Sequence, residues 1–146
     1  MLFFDPPQVV NTTVFTRMPV HFRKPKGSFS HGVGTGKKKE SRDCFLEGPS
    51  FDRAGNLYVV DIPYSRIFRI SSAGEWALVC EYDGEPNGLK IHKDGRIFVA
   101  DRKNGLMQLD AASGKIETLI SGESKERFKG LNDLVFASNG DLYFTD

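Results

Sequence analysis

The chain has 146 residues, a net charge of +1, 27% charged residues and 39% hydrophobic residues. That length can bury one core, and the composition is that of an ordinary soluble domain. The near-neutral balance excludes a global field that would draw in nucleic acid or an anionic membrane. No run approaches the roughly 18 apolar residues of a membrane span.

The opening "MLFFDPP" has a short apolar run, no basic stretch before it and Asp5-Pro6-Pro7 after it. It does not read as a signal peptide, so a soluble, cytoplasmic protein is expected. Residues 12–19, "TTVFTRMP", could form a strand. Residues 23–43 are rich in Gly and Lys and read as a mobile loop. Within it, Lys37-Lys38-Lys39 is diluted by Glu40 and Asp43 and reads as a solvated run. The segment "GVGTGK" lacks both the spacing and the strand–helix setting of a phosphate-binding loop. Cys44 and Cys80 have no framework spacing and are expected to be buried free thiols.

From Glu47 onward the sequence repeats. "EGPSFDRAGNLYVVD" (47–61), "NGLKIHKDGRIFVAD" (87–101) and "NDLVFASNGDLYFTD" (132–146) align without gaps, at spacings of 40 and then 45 residues. Each copy begins with a polar residue, has Gly at its ninth position (Gly55, Gly95, Gly140) and ends in Asp (Asp61, Asp101, Asp146). The glycines suit tight hairpin turns. The segments after them, "LYVV", "IFVA" and "LYFT", are β-branched and aromatic, which favours strand. Their lack of alternation predicts that both sheet faces are covered.

Residues 66–71 and 76–81 supply two further strands for the first unit, and 105–110 and 115–120 do so for the second. Four antiparallel strands every 40 to 45 residues predict an all-β fold, a β-propeller. The first blade is expected at about 47–81, the second at about 87–120 and the start of a third at about 132–146. That is two and a half blades of a ring that needs about four to eight. Residues 1–45 form an N-terminal segment, in which 12–19 could close such a ring by joining its last blade.

In a propeller the first strand of each blade lines the central channel. One repeat position therefore forms a ring near one mouth, and here it holds Glu47, Asn87 and Asn132. A carboxylate and two carboxamides offer hard oxygens, which suit Ca²⁺ or Mg²⁺. Zinc fits less well, because no His or Cys joins the ring. The bland alternative is that these residues cap the neighbouring loops. The three Asp residues in register read as structural, accepting backbone N–H bonds from the next turn. His21, His31 and His92 form no pattern. His92 falls at the end of a first strand, near the opposite mouth, and is expected at the surface.

These motifs, from about Leu46 to Asp146, resemble the first three blades of the SMP-30/gluconolactonase family in order and spacing. The resemblance rests on "EGPSF" leading to "VVDI", on "PNGL", and on "LNDLVFASNGDLYFTD". It implies a six-bladed propeller with one divalent metal in the channel, Ca²⁺ before Mg²⁺, Mn²⁺ or Zn²⁺, acting as a lactone hydrolase on a small-molecule lactone. By motif position, Glu47 is implied as a metal ligand and Asn132 as a ligand that also touches substrate. Asp133 and Asn87 are implied as substrate contacts. The family's remaining ligands and its catalytic Asp are implied in later blades, so the chain alone is expected to be inactive. Gly130-Leu131 stands where the family can place a basic or aromatic residue that grips sugar hydroxyls, which weighs against a polar sugar lactone. Competing readings are a non-catalytic NHL-type binding propeller and a related propeller esterase, phosphotriesterase or lyase.

Overall fold

Short runs of β-branched and aromatic residues between glycine-centred turns become strands throughout. A computed structural model describes residues 8–24, 27–29, 40–123 and 126–146. The opening heptapeptide, "GVGTGK", the lysine run and His31 lie outside the described residues. The flanks of the Gly/Lys-rich loop pair as a small ladder, β1 (Gly27–Phe29) with β2 (Glu40–Arg42).

The first blade is a four-stranded antiparallel sheet in simple meander order. It comprises β3 (Leu46–Phe51), β4 (Leu57–Asp61), β5 (Arg66–Ile70) and β6 (Trp76–Glu81). The second repeats it with β7 (Pro86–Ile91), β8 (Ile97–Asp101), β9 (Gly105–Asp110) and β10 (Lys115–Ile120). A two-stranded ladder follows, β11 (Gly122–Glu123) with β12 (Glu126–Arg127). The third unit contributes one hairpin, β13 (Leu134–Phe136) with β14 (Leu142–Phe144). The described residues contain no α-helix, only two 3₁₀ turns at Val20–Phe22 and Ile62–Tyr64. The chain is therefore all-β, two complete propeller-type blades and the inner hairpin of a third.

The hairpin turns are equivalent in all three units. Gly55, Gly95 and Gly140 lie at φ +82°, +96° and +96°. Each donates its N–H to the carbonyl three residues earlier, on Asp52, His92 and Ala137.

Both faces of the central strands are covered, as the absence of alternation requires. Tyr58, Val60 and Ile67 of the first blade pack with Leu89, Val99 and Met107 of the second. The opposite face, with Val59, Phe68 and Ile70, is closed by Met18 and Phe22. On the far side of the second blade, Phe98, Ala100 and Leu106 meet Leu131 and Leu134. Full burial of a side chain such as Leu89 or Ile67 stabilises by about 1.5–3 kcal/mol.

Residues 12–19, which could close a ring by joining a last blade, pair in no ladder among the described residues. They run along the first blade instead, because Thr16 finds polar partners there: its Oγ1 donates to the Gly74 carbonyl at 3.0 Å and accepts from Trp76 Nε1 at 3.1 Å. Cys44 and Cys80 are free, and both are half-buried rather than buried. Burial pushes the Cys80 thiol up to about 11.

Candidate functional site

The three inner strands β3, β7 and β13 lie side by side, and two glycines let them approach. Gly48, at φ +57°, faces the backbone of the next inner strand, where a Cβ would stand 2.6 Å from Leu89 N. A Cβ on Gly88 would stand 2.8 Å from the Asn132 carbonyl oxygen and 2.9 Å from Asp133 Cα. Both glycines directly follow the repeat's first residue, so close approach occurs where the ring residues sit. Ser50 Oγ adds a link by accepting from Ile91 N at 3.1 Å.

Each inner strand is also bulged near the ring position. In the first blade Gly48 and Pro49 together oppose Val59, because the register jumps between Glu47 and Ser50. In the second, Asn87 is the extra residue between the pairs Pro86–Asp101 and Gly88–Ala100. In the third, Asn132 N donates to Thr145 O while Thr145 N donates to Asp133 O, again two residues against one. A bulge re-aims side chains that strict alternation would send into the sheet faces.

The result is one cleft of about 310 Å³ with Glu47, Asn87, Lys90, Asn132 and Asp133 in its wall. Phe45 and Ile62 form its apolar side. Glu47, Asn132 and Asp133 are exposed, and Asn87 is half-buried. Among the described residues, the side chains of Glu47, Asn87 and Asn132 have no hydrogen-bond or ionic partner. Asp133 is partly committed, its Oδ1 accepting from Leu134 N at 2.8 Å.

The terminal Asp of each repeat behaves differently, and its role reaches further back than the next turn. Asp61 Oδ1 accepts from Phe45 N at 2.8 Å, Asp101 Oδ2 from Glu85 N at 2.9 Å and Asp146 Oδ1 from Gly130 N at 2.8 Å. In each case the donor lies two residues before the ring position. Asp61 is completely buried and its other oxygen is held by Arg66, whose own Nη1 donates to the Phe22 carbonyl at 2.8 Å. Asp101 also receives Tyr82 Oη and the N–H groups of Lys103 and Asn104. Burial raises its carboxyl above the usual range although these donors oppose the shift.

A hard divalent cation takes six to eight oxygens if it is Ca²⁺ and six if it is Mg²⁺. Glu47, Asn87 and Asn132 have the right donor chemistry and free oxygens, so they fit part of such a shell. Among the described residues no three His, Cys, Asp or Glu side chains converge. By donor chemistry alone, this stretch could fill only a portion of such a shell.

The opposite, turn end of the first two blades carries a wider concavity, about 430 Å³, that includes Phe51, Arg53, Tyr58 and His92. It gathers none of the ring residues. His92 is not at the surface as expected. Its side chain is only 11% exposed, with Nδ1 2.8 Å from Asp94 Oδ1 and its ring 4.8 Å from that of Phe136, because the third unit covers it. Lys90 is the residue of the cleft that sequence reasoning missed. Its repeat position holds Ser50 and Val135 in the other copies, so no register signal marked it.

Comparison with known proteins bears directly on this architecture. The family model for the SMP-30/Gluconolactonase/LRE-like region matches residues 45–146. The chain belongs to this family. Among curated relatives, the lactonase drp35 of Staphylococcus aureus (strain MRSA252) is 33% identical over 108 residues, covering 69% of this chain and 33% of the relative. Its counterpart in Staphylococcus epidermidis (strain ATCC 12228 / FDA PCI 1200) is 33% identical over 109 residues. The chain thus spans 33% of the length of these relatives. Among solved structures, a gluconolactonase from Xanthomonas campestris superposes with a TM-score of 0.65 at 22% identity, covering 70% of this chain and 35% of that one. Virginiamycin B lyase from Staphylococcus aureus gives 0.52 at 21%, covering 68% and 34%. At these identities the superpositions speak to the fold.

Proposed function

We propose that the chain is the N-terminal part of a divalent-cation-dependent lactonase that hydrolyses a small lactone to its hydroxy acid. One observation carries the reading: Glu47, Asn87 and Asn132, brought to one cleft by bulged inner strands, keep their side-chain oxygens uncommitted while the nearby repeat Asp residues are all bonded. The curated relatives named lactonases support the reaction class.

In this reading Glu47 and Asn132 would hold the cation, with Ca²⁺ the first choice for an all-oxygen set. When bound, the cation supplies Lewis-acid polarisation of the substrate carbonyl. Asn87 and the second oxygen of Asp133 face the substrate and orient it through hydrogen bonds. Phe45 and Ile62 shed water from one side of the cleft, which strengthens those bonds. Proton transfer is assigned to a later blade by the family resemblance, so this chain alone is expected to turn over no lactone.

The test uses a protein extended to the length of the relatives. Calorimetric titration with Ca²⁺ should show at least tenfold weaker binding for Glu47→Gln, with a matching loss of lactone hydrolysis in a pH-stat. Wild-type affinity and rate in that variant would remove Glu47 from the site. Cation binding without hydrolysis of any lactone would favour a non-catalytic binding propeller.

A further inference from the structure

Among the described residues the cleft wall contains one cation, Lys90, and it has no ion-pair partner. Several other cations of the blades are paired, Lys103 with Asp83, Arg66 with Asp61, Arg96 with Asp94 and Arg102 with Glu85, and the unpaired Arg53 and Lys93 are exposed. Lys90 forms no ion pair or side-chain hydrogen bond among the described residues, although it is half-buried and shares the cleft with the carboxylates of Glu47 and Asp133. An ammonium partly withdrawn from water without a direct ion-pair partner favours an anion beside it.

Its placement follows from the bulge. Asn87 is the extra residue, so alternation restarts at Gly88 and sends Gly88 and Lys90 to one face of β7 and Leu89 to the other. Leu89 is fully buried between the blades. The Gly88 face looks toward Asn132 and Asp133. Lys90 therefore lies along the channel wall beyond the ring, with its Cα about 10 Å from that of Asn87 at about 3.3 Å per residue. A ligand with its carbonyl at the ring would present its far end to the ammonium.

We infer that Lys90 is a specificity residue that selects lactones, and the hydroxy acids they open to, bearing an additional carboxylate at the end remote from the ring. The inference rests on the lactonase reading for its substrate and on the cleft alone for its anion. Hydrolysis of such a lactone adds water across the C–O ester bond, giving a hydroxyl and a second carboxylate with release of one proton. No other reactant is needed.

The experiment compares γ-butyrolactone with paraconate, the same ring carrying a carboxylate, in the protein at the length of its relatives and loaded with Ca²⁺. Lys90→Gln should lower kcat/KM for paraconate about 10- to 100-fold, mainly through KM. It should leave γ-butyrolactone within about twofold, and Lys90→Arg should restore most of the loss. An equal fall for both lactones, or no fall for paraconate, overturns the inference. If neither lactone is hydrolysed the lactonase reading fails, and Lys90 is then judged by titration with hydroxymethylsuccinate, the opened dicarboxylate. Weaker binding by Lys90→Gln than by wild type sustains the anion site, whereas equal binding, or no binding by wild type, overturns it.

Discussion

Replacing Gly88 by Ala tests whether the close approach of inner strands builds the cleft. Gly88 keeps a backbone conformation open to any L residue, so the substitution introduces no left-handed strain. The new Cβ would stand 2.8 Å from Asn132 O and 2.9 Å from Asp133 Cα, inside the 3.4 Å at which ordinary contact begins. These are backbone atoms that cannot swing aside, so the Asn132–Asp133 segment must retreat by roughly half an ångström. Such overpacking costs about 1–3 kcal/mol. Part is offset by about 0.4–1 kcal/mol, because Ala restricts the unfolded chain. A net loss of about 1–2 kcal/mol is expected in urea unfolding followed by emission of Trp76, the single tryptophan of this chain. A displacement of about 1 Å costs on the order of 100-fold in a positioned site, so half of that should weaken the proposed Ca²⁺ binding roughly tenfold. Gly95→Ala is the control: its Cβ meets nothing within 4 Å, so only local strain at φ +96° is added and cation affinity should hold. If Gly88→Ala unfolds and binds cation like wild type, the close packing of inner strands is not what assembles the cleft.

Two further outcomes follow from buried and paired charges. Arg66→Ala leaves Asp61 buried without its counter-ion and should cost about 3–5 kcal/mol in urea midpoint analysis, well beyond Arg66→Met with Asp61→Leu, which removes both charges. Asp94 is held well below the usual carboxylate range by the Arg96 N–H first, then by His92 and the Arg96 side chain. The unfolded chain therefore takes up this proton first as pH falls. The stabilisation is complete above about pH 4 and is lost as pH drops from there, so Asp94→Asn should flatten the acid limb of a stability–pH profile.

The repeat was legible because it is written twice over, in hydrophobic content and in turn chemistry. Gly55, Gly95 and Gly140 fix the hairpins, and apolar runs such as "LYVV" and "IFVA" announce strands covered on both faces. The convergence of Glu47, Asn87 and Asn132 could likewise be anticipated from register alone, whereas Asp133 came only from the family resemblance. The bulges could not. Nothing in "EGPS", "PNGL" or "LNDL" states that one residue will be unpaired, because that depends on the pairing partner, Val59, Ala100 or Thr145. Lys90 was hidden for the same reason, since its face of β7 is decided by the slip at Asn87. The path of residues 12–19 along the first blade was set by tertiary partners, Gly74, Trp76 and the pocket around Met18, that local propensity does not see.

The repeat Asp residues separate two jobs within each unit. Asp61, Asp101 and Asp146 tie the approach to the ring position through backbone N–H groups, which every residue type except proline offers. The anchor is thus indifferent to the side chain it presents two residues later. Mutation at Glu47, Asn87 or Asn132 can change the chemistry of the mouth at little cost to folding, and a change in one unit need not be matched in the next. A scaffold wired in this way is evolvable: its chemistry can drift residue by residue while its architecture stays under separate selection.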